Sequence, residues 1–248
     1  MKRIFDWKSN HDNRSRQYSI RQVIGNNIKP TKILWEEGTV LDQGSEGACV
    51  GFAWTAELLA EPSAPESQPS EEFANALASE FYQEAKHVDE WPGTNYEGTS
   101  VLAGAKIMHR KGFIKQYRWC FSVDEVRDAL IAEGPVVIGI PWLSGMYETA
   151  PGGIVRVFGK PVGGHALVLT GYNPAMNIGQ STEECFRWRN SWGNDYGNNG
   201  SGWIRRKDLE KLLASNGEAC VPMQRQTPIF KKAKVSKIKR WFSFICKK

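Results

Sequence analysis

The sequence predicts an α+β chain, helical in its N-terminal half and built mainly of antiparallel strands in its C-terminal half. Three observations carry this. An apolar, helix-forming run follows Cys49 and stops before Pro62. Two later stretches open on serines, Ser70 and Ser122, placed as helix caps. From Val136 onward the apolar residues come in short runs divided by turn signals, the pattern of strands. At 248 residues the chain has room for one large domain or for two lobes around a single cleft.

Taken in order, residues 1–28 are polar and basic, with few apolar positions beyond Phe5, Trp7, Tyr18, Ile20, Val23 and Ile24. They read as a strap packed on the body. Residues 31–42 lead into Gln43–Trp54, QGSEGACVGFAW, around which the rest is organised. Cys49 is followed by Val50, Phe52, Ala53, Ala56, Leu58, Leu59 and Ala60, which suits a buried helix. A cysteine in the first turn of that helix faces unpaired N–H groups and the positive end of the dipole, and both favour thiolate. Inert packing of a lone cysteine is the competing reading, and what separates the two lies downstream.

Residues 61–70 form a Pro/Ser-rich loop. A helix from Ser70 to Lys86 carries Phe73, Leu77, Phe81 and Tyr82 on one core-facing side. Residues 91–99 are a loop, and a helix from Ser100 to Lys111 ends at Gly112. The capping box Ser122–Glu125 opens a helix to Glu133, which Gly134 and Pro135 terminate. Strands are expected at Val136–Ile140, Gly153–Phe158, Ala166–Tyr172, Cys185–Arg189 and Gly202–Arg205. Asn173–Glu184 is expected to be a long connection, and Asn194–Asn199 a polar turn.

Two stretches give Cys49 its chemistry. GGHALVLTGY places His165 at the head of an apolar strand, and FRWRNSWG places Asn190 at the end of another, before a Ser-Trp-Gly turn. Nucleophile, base and orienting amide thus follow one another as Cys, His, Asn. His11, His87 and His109 lack comparable surroundings. In this order and context the residues resemble the papain-like cysteine peptidases, whose local signature is Cys-Gly-Ser/Ala-Cys-Trp/Tyr with His and Asn downstream. Here the signature reads Glu46-Gly47-Ala48-Cys49-Val50, with the first cysteine and the aromatic replaced. The resemblance runs from about residue 30 to about residue 215.

The resemblance implies a two-lobe fold, with Cys49 on a helical lobe and His165 and Asn190 on a barrel-like sheet lobe. It divides the chain into an extension 1–28, a body 29–222 (29–134 mainly helical, 135–222 mainly sheet) and a tail 223–248. It implies that Gln43, six residues before Cys49, supplies an oxyanion-hole donor, worth about 3 kcal/mol of barrier. Gly98 would lie where a substrate backbone pairs as an added edge strand. Gly164 stands before the histidine where relatives carry a polar residue, and Trp192 would cover the His165–Asn190 hydrogen bond. The implied activity is endopeptidase hydrolysis of peptide or protein substrates by a monomer, with neither metal nor organic cofactor. Family members are usually made with a long helical pro-segment. The stretch ahead of this body is too short for one, so residues 1–28 are read as a strap that can also inhibit.

Composition narrows the setting. No run approaches a membrane span, and the first residues lack the apolar core of a secretory signal. Cys49, Cys120, Cys185, Cys220 and Cys246 contain no CxxC spacing, which argues against zinc. Their odd number, and Glu46 where secreted relatives carry a disulfide cysteine, point to a reducing compartment, the cytoplasm (host cytoplasm or virion for a phage-encoded chain). The net charge of +5 is a property of the tail: residues 231–248 carry eight Lys and Arg and no acid, so the remainder, 24 basic against 27 acidic, sums to −3. As a helix the tail would set Val235, Ile238, Trp241, Phe242 and Ile245 opposite its cations. That pattern suits an anionic membrane surface, with Cys246 as a lipid acceptor, or a nucleic acid backbone. A solubilising tail fits the same composition. Two further functions fit the same site residues: an acyl-transferase or amidase, and a binding or structural module with a blocked cleft.

Overall fold

The computed structural model describes residues 3–230; the basic tail 231–248, with its expected interfacial helix and Cys246, lies outside the described residues. The helices are α1 (Arg21–Ile24), α2 (Cys49–Leu59), α3 (Glu71–Lys86), α4 (Val101–Arg110), α5 (Val123–Ala132) and α6 (Arg206–Ala214). The strands are β1 (Ile33–Leu34), β2 (Gln116–Cys120), β3 (Val136–Leu143), β4 (Thr149–Ala150) and β5 (Ile154–Val155), then β6 (Pro161–Asn177), β7 (Thr182–Arg189), β8 (Ser201–Arg205) and β9 (Glu218–Met223). No helix among the described residues is long and apolar enough to cross a membrane.

The caps behave as the sequence predicts. Ser70 accepts from Phe73 N–H, Ser100 from Ala103 N–H and Ser122 from Glu125 N–H, each satisfying an orphan donor of a helix start. α2 is buried along its whole length, which is why its sequence shows an apolar run without a polar face. α3, α4 and β6 all pack on it.

The strands join one sheet in the order β2-β9-β3-β6-β7-β8-β5-β4, with β1 added to β6. Neighbours run antiparallel except β5 and β8. β3 and β6 are central and buried on both faces, so their sequences read as apolar runs rather than as alternations. Their residues still divide by parity. Val137, Ala166 and Val168 join the core under α2–α4, whereas Ile138, Leu167 and Leu169 join a second core with Phe186, Trp188 and Leu209.

Two expectations are corrected. The strand expected at Gly153–Phe158 is confined to Ile154–Val155, because Pro151–Gly153 form a 3-10 turn with Gly152 at φ 79° and the chain then leaves the sheet. The connection expected at Asn173–Glu184 is mostly hairpin: β6 continues to Asn177 and β7 begins at Thr182, with a register shift between Asn173 and Met176. That irregularity accommodates Pro174, which has no N–H to offer the ladder. Missing from the sequence expectations are α1, β1, β2, β4, α6 and β9, and with β9 Glu218.

The N-terminal strap does pack on the body. Ile20 is fully buried, and Ser19 forms a bridge with Trp119 of β2. Its first residues, Arg3–Lys8, take a different course and run through the cleft.

Candidate active site

Cys49 is the first residue of α2, and Ala48 at the N-cap makes no side-chain cap. Gln43 and Ser191 sit where two backbone segments meet: Gln43 N–H donates to Ser191 O at 2.9 Å, and Gly193 N–H to Leu41 O at 2.9 Å. The side chains continue this join. Ser191 Oγ donates to Gln43 Oε1 at 2.6 Å, and Gln43 Nε2 donates to Glu46 O at 2.7 Å. Glu46 O can only accept, so the amide orientation follows from its partners. One of the two N–H bonds of Gln43 remains for another acceptor.

His165 Nε2 lies 2.7 Å from Asn190 Oδ1. The same oxygen accepts the Ser191 backbone N–H at 2.8 Å. A backbone N–H can only donate, which makes this atom the oxygen and makes His165 Nε2 the donor. The neutral ring therefore carries its lone pair on Nδ1, which is buried with no hydrogen-bond partner. Asn190 Nδ2 is likewise buried without a partner. Three aromatic rings enclose the imidazole: Trp142 at 4.9 Å, Trp192 at 5.1 Å and Phe5 at 5.9 Å between centroids. Trp192 is at the position expected of a cover for the His165–Asn190 bond. Trp142 and Phe5 are additional.

Phe5 belongs to the strap, which fills the cleft. Trp7 N–H donates to Gly164 O at 2.9 Å, Thr99 N–H to Asp6 O at 3.1 Å and Lys8 N–H to Thr99 O at 3.0 Å. Trp7 and Thr99 thereby form a parallel bridge. The predicted substrate-binding residues Gly98 and Gly164 both contact this strap. Gly98, at φ 85°, passes so close that a β-carbon would collide with Asp6 O, and a β-carbon on Gly164 would collide with Trp7. At one end Arg3 holds Asp42 at 2.7 Å and the carbonyls of Gly44 and Trp192 at 3.1 Å. At the other, the Trp7 indole donates to Glu218 Oε1 at 2.8 Å. Lys8 lies over the rings of Tyr96 and Trp91.

This cover changes the electrostatics of the site. Cys49 and His165 both have 0% exposure. Burial pushes the Cys49 thiol up to about 11, against the backbone amides of Ala166, Asp6 and Trp7, which pull it down. Burial also lowers His165 to about 4, helped by the positive charge of Arg3 and opposed by the Asn190 hydrogen bond. The thiolate expected from the helix N-terminus is therefore corrected for this state: desolvation outweighs the dipole, and both groups are neutral at pH 7.

The structure joins Gln43, Asn190, His165 and Trp192 through Ser191 hydrogen bonds and ring contacts, and Cys49, Gly98 and Gly164 each meet the strap. Sequence reasoning missed Ser191 as the link between Gln43 and Asn190, Trp142 behind the imidazole, Glu218, and the course of Arg3–Lys8. Phe5 and Trp7 were the signal for the last, two large aromatics close together in a mostly polar extension.

Comparison with known proteins bears on the family and the fold. A family model described as papain family cysteine protease matches residues 75–221, a stretch that contains His165 and Asn190 and begins after Cys49. The fold is similar to xylellain, a cysteine protease from Xylella fastidiosa, with 20% identity over 88% of this chain and 95% of that one, at a TM-score of 0.59. It is similar to digestive procathepsin L 3 of the Tenebrio molitor larval midgut, with 15% identity over 84% and 75% of the two chains and a TM-score of 0.59. The bromelain protease of Ananas comosus in complex with the E64 inhibitor is 14% identical over 79% and 99%, at a TM-score of 0.53. No curated protein matches the sequence.

Proposed function

Because the chain belongs to the papain family of cysteine proteases, we propose that it is a cysteine endopeptidase held latent by its own residues 3–8. In this reading Cys49 is the nucleophile. His165 takes the thiol proton on Nδ1, forms an imidazolium and passes the proton to the leaving amine. Asn190 fixes the ring through Nε2. The remaining N–H of Gln43 and the backbone N–H of Cys49 stabilise the oxyanion. Water, activated by the same imidazole, then releases the acyl group. The observation that carries this assignment is the double acceptance at Asn190 Oδ1, which places the ring's lone pair on Nδ1.

The strap suits inhibition rather than cleavage. The groups it turns toward the Cys49 sulfur are the backbone amides of Asp6 and Trp7. The Asp6 carbonyl oxygen accepts from Thr99 N–H at 3.1 Å, so it is already engaged by a group other than the proposed oxyanion donors Gln43 and Cys49. A blocked cleft is also what a module kept only for binding would have. The latent-enzyme reading is favoured by the orphaned Nδ1 of His165. Such a buried group costs about 1–3 kcal/mol, which an apolar residue of the same shape would avoid.

Intact mass after incubation with an epoxide inhibitor selective for activated cysteines tests the proposal. We expect little adduct on the wild-type chain, a single adduct on Trp7→Ala, and none on Trp7→Ala/Cys49→Ala. A folded Trp7→Ala chain that stays unlabelled would favour the binding module. Transfer of the acyl group to an added amine in preference to water would favour an acyl-transferase instead.

A further inference from the structure

Asn190 follows directly on β7, and its backbone is held by the residues around it. Its N–H donates to Gly200 O at 2.9 Å. Ser201, the next residue, pairs with Arg189 across β7 and β8. Arg189 in turn donates through Nη1 to the carbonyl of Asn199. The direction in which the Asn190 amide leaves the chain is therefore set by where Arg189 and Ser201 lie.

Both are tied to one carboxylate from a distant part of the sequence. Glu37 lies in the segment that leads into Gln43. Its Oε1 accepts from Thr170 Oγ1 at 2.6 Å and from Arg187 Nε at 2.9 Å. Its Oε2 accepts from Arg187 Nη2 at 2.9 Å, Arg189 Nη2 at 2.9 Å and Ser201 Oγ at 2.7 Å. These donors come from β6, which carries His165, and from β7 and β8 on either side of Asn190. The side chains of Glu37 and Arg189 are each only 8% exposed. Burial raises the Glu37 carboxyl, but the Arg187 bonds, the two guanidinium charges and the Thr170 hydroxyl outweigh it, and the group stands below its ordinary value. Among the described residues no other carboxylate pairs with Arg187 or Arg189. A buried ion pair is a poor source of stability, whereas its fork geometry fixes orientation.

We infer that Glu37 is a positioning residue for Asn190: through Arg189 and Ser201 it sets the angle at which Asn190 Oδ1 meets His165 Nε2, and with it the tautomer of the ring. Glu37 touches neither the imidazole nor the sulfur, and its consequence for hydrolysis rests on the peptidase reading. Backbone pairing alone makes the register of β6, β7 and β8, so the strands themselves do not need this carboxylate. What it adds is a common anchor for the two strands that lead to Asn190 and the strand that bears His165. Glu37→Gln keeps the shape and turns one acceptor into an N–H₂ group that faces donors, so the anchor is lost with little change of volume.

Two measurements on full-length chains test this. Nitrogen NMR shifts of the His165 ring, identified by their loss in His165→Gln, should show the Nε2–H tautomer alone in the wild-type chain and a mixture of both tautomers in Glu37→Gln. In the Trp7→Ala background, Glu37→Gln should slow the alkylation of Cys49 by iodoacetamide at pH 7 about tenfold, because a loosened ring stabilises less of the thiolate–imidazolium pair. In Trp7→Ala/Asn190→Ala the same substitution should change that rate by less than about twofold, since the residue it acts through is gone. An unchanged tautomer, or an equal loss of rate in both backgrounds, would overturn the inference. If Glu37→Gln does not fold, Arg189→Lys, which keeps the charge and gives up the fork, takes the same measurements to the same outcomes. If Trp7→Ala never alkylates at pH 7, the peptidase reading fails and the tautomer by itself decides for or against Glu37.

Discussion

Trp7→Ala is expected to raise hydrolysis of an unfolded protein substrate at pH 7 by roughly 10²–10³-fold over the wild-type chain. Truncating a buried tryptophan costs about 3–5 kcal/mol, and each 1.4 kcal/mol is tenfold in an equilibrium. Here the loss falls on the equilibrium between covered and open cleft, because Trp7 holds the strap by its backbone, its ring and its bond to Glu218. The rest of the N-terminal stretch has separate anchors: buried Ile20 and the bridge between Ser19 and Trp119. Opening is therefore local, and the thermal midpoint should fall by only a few degrees, as about 1 kcal/mol of global stability would give. Initial rates on reduced, carboxymethylated lysozyme measure the effect. A folded Trp7→Ala chain as inactive as wild type would remove the strap as the cause of latency.

Gln43→Ala in the Trp7→Ala background is expected to lower kcat by about 10²–10³-fold, the cost of one oxyanion donor. The side chain is suited to that work because its other bonds are already made. Ser191 holds its oxygen and Glu46 O holds one N–H, so the second N–H is fixed in direction before substrate arrives. Alkylation of Cys49 by iodoacetamide develops no carbonyl oxyanion and should fall far less than hydrolysis. Comparing the two rates separates a lost donor from a disturbed cysteine. If both fall together, Gln43 acts by packing against the helix start rather than by stabilising the tetrahedral intermediate.

The sequence made the helices of the Cys49 lobe legible because their signals are local. Ser70 and Ser100 mark their starts, Gly112 marks an end, and the apolar run after Cys49 announces a helix buried on every side; α5, on the second core, is marked in the same way by Ser122 and Gly134. The catalytic candidates were legible for a different reason, since Gln43, Cys49, His165 and Asn190 sit in short motifs whose order is informative. What escaped was contact between distant parts of the chain. β2 is Gln116-Tyr-Arg-Trp-Cys120, mixed in polarity, and becomes a strand through pairing with β9, a hundred residues on. Glu218 reads as an exposed acid until the register with Gly139 buries it beneath Trp7. The protonation of Cys49 was misjudged on the same ground. A helix N-terminus is written in the local sequence, and the strap that dries it is not.

The central claim is that one segment, Arg3–Lys8, keeps a competent Cys49–His165 pair neutral by burying it. The pH profile of Cys49 alkylation, followed by intact mass on wild type and Trp7→Ala, tests this most directly. A thiol reacts as its anion, so reactivity appears as pH rises through the group's pKa. In wild type burial holds Cys49 at about 11 and His165 at about 4, and the rate should climb only toward the alkaline end. In Trp7→Ala, with water readmitted, the helix N-terminus and an imidazolium beside the sulfur should bring the rise below pH 7 and give a plateau through neutrality. Identical profiles in the two chains, both rising only near pH 11, would contradict the account.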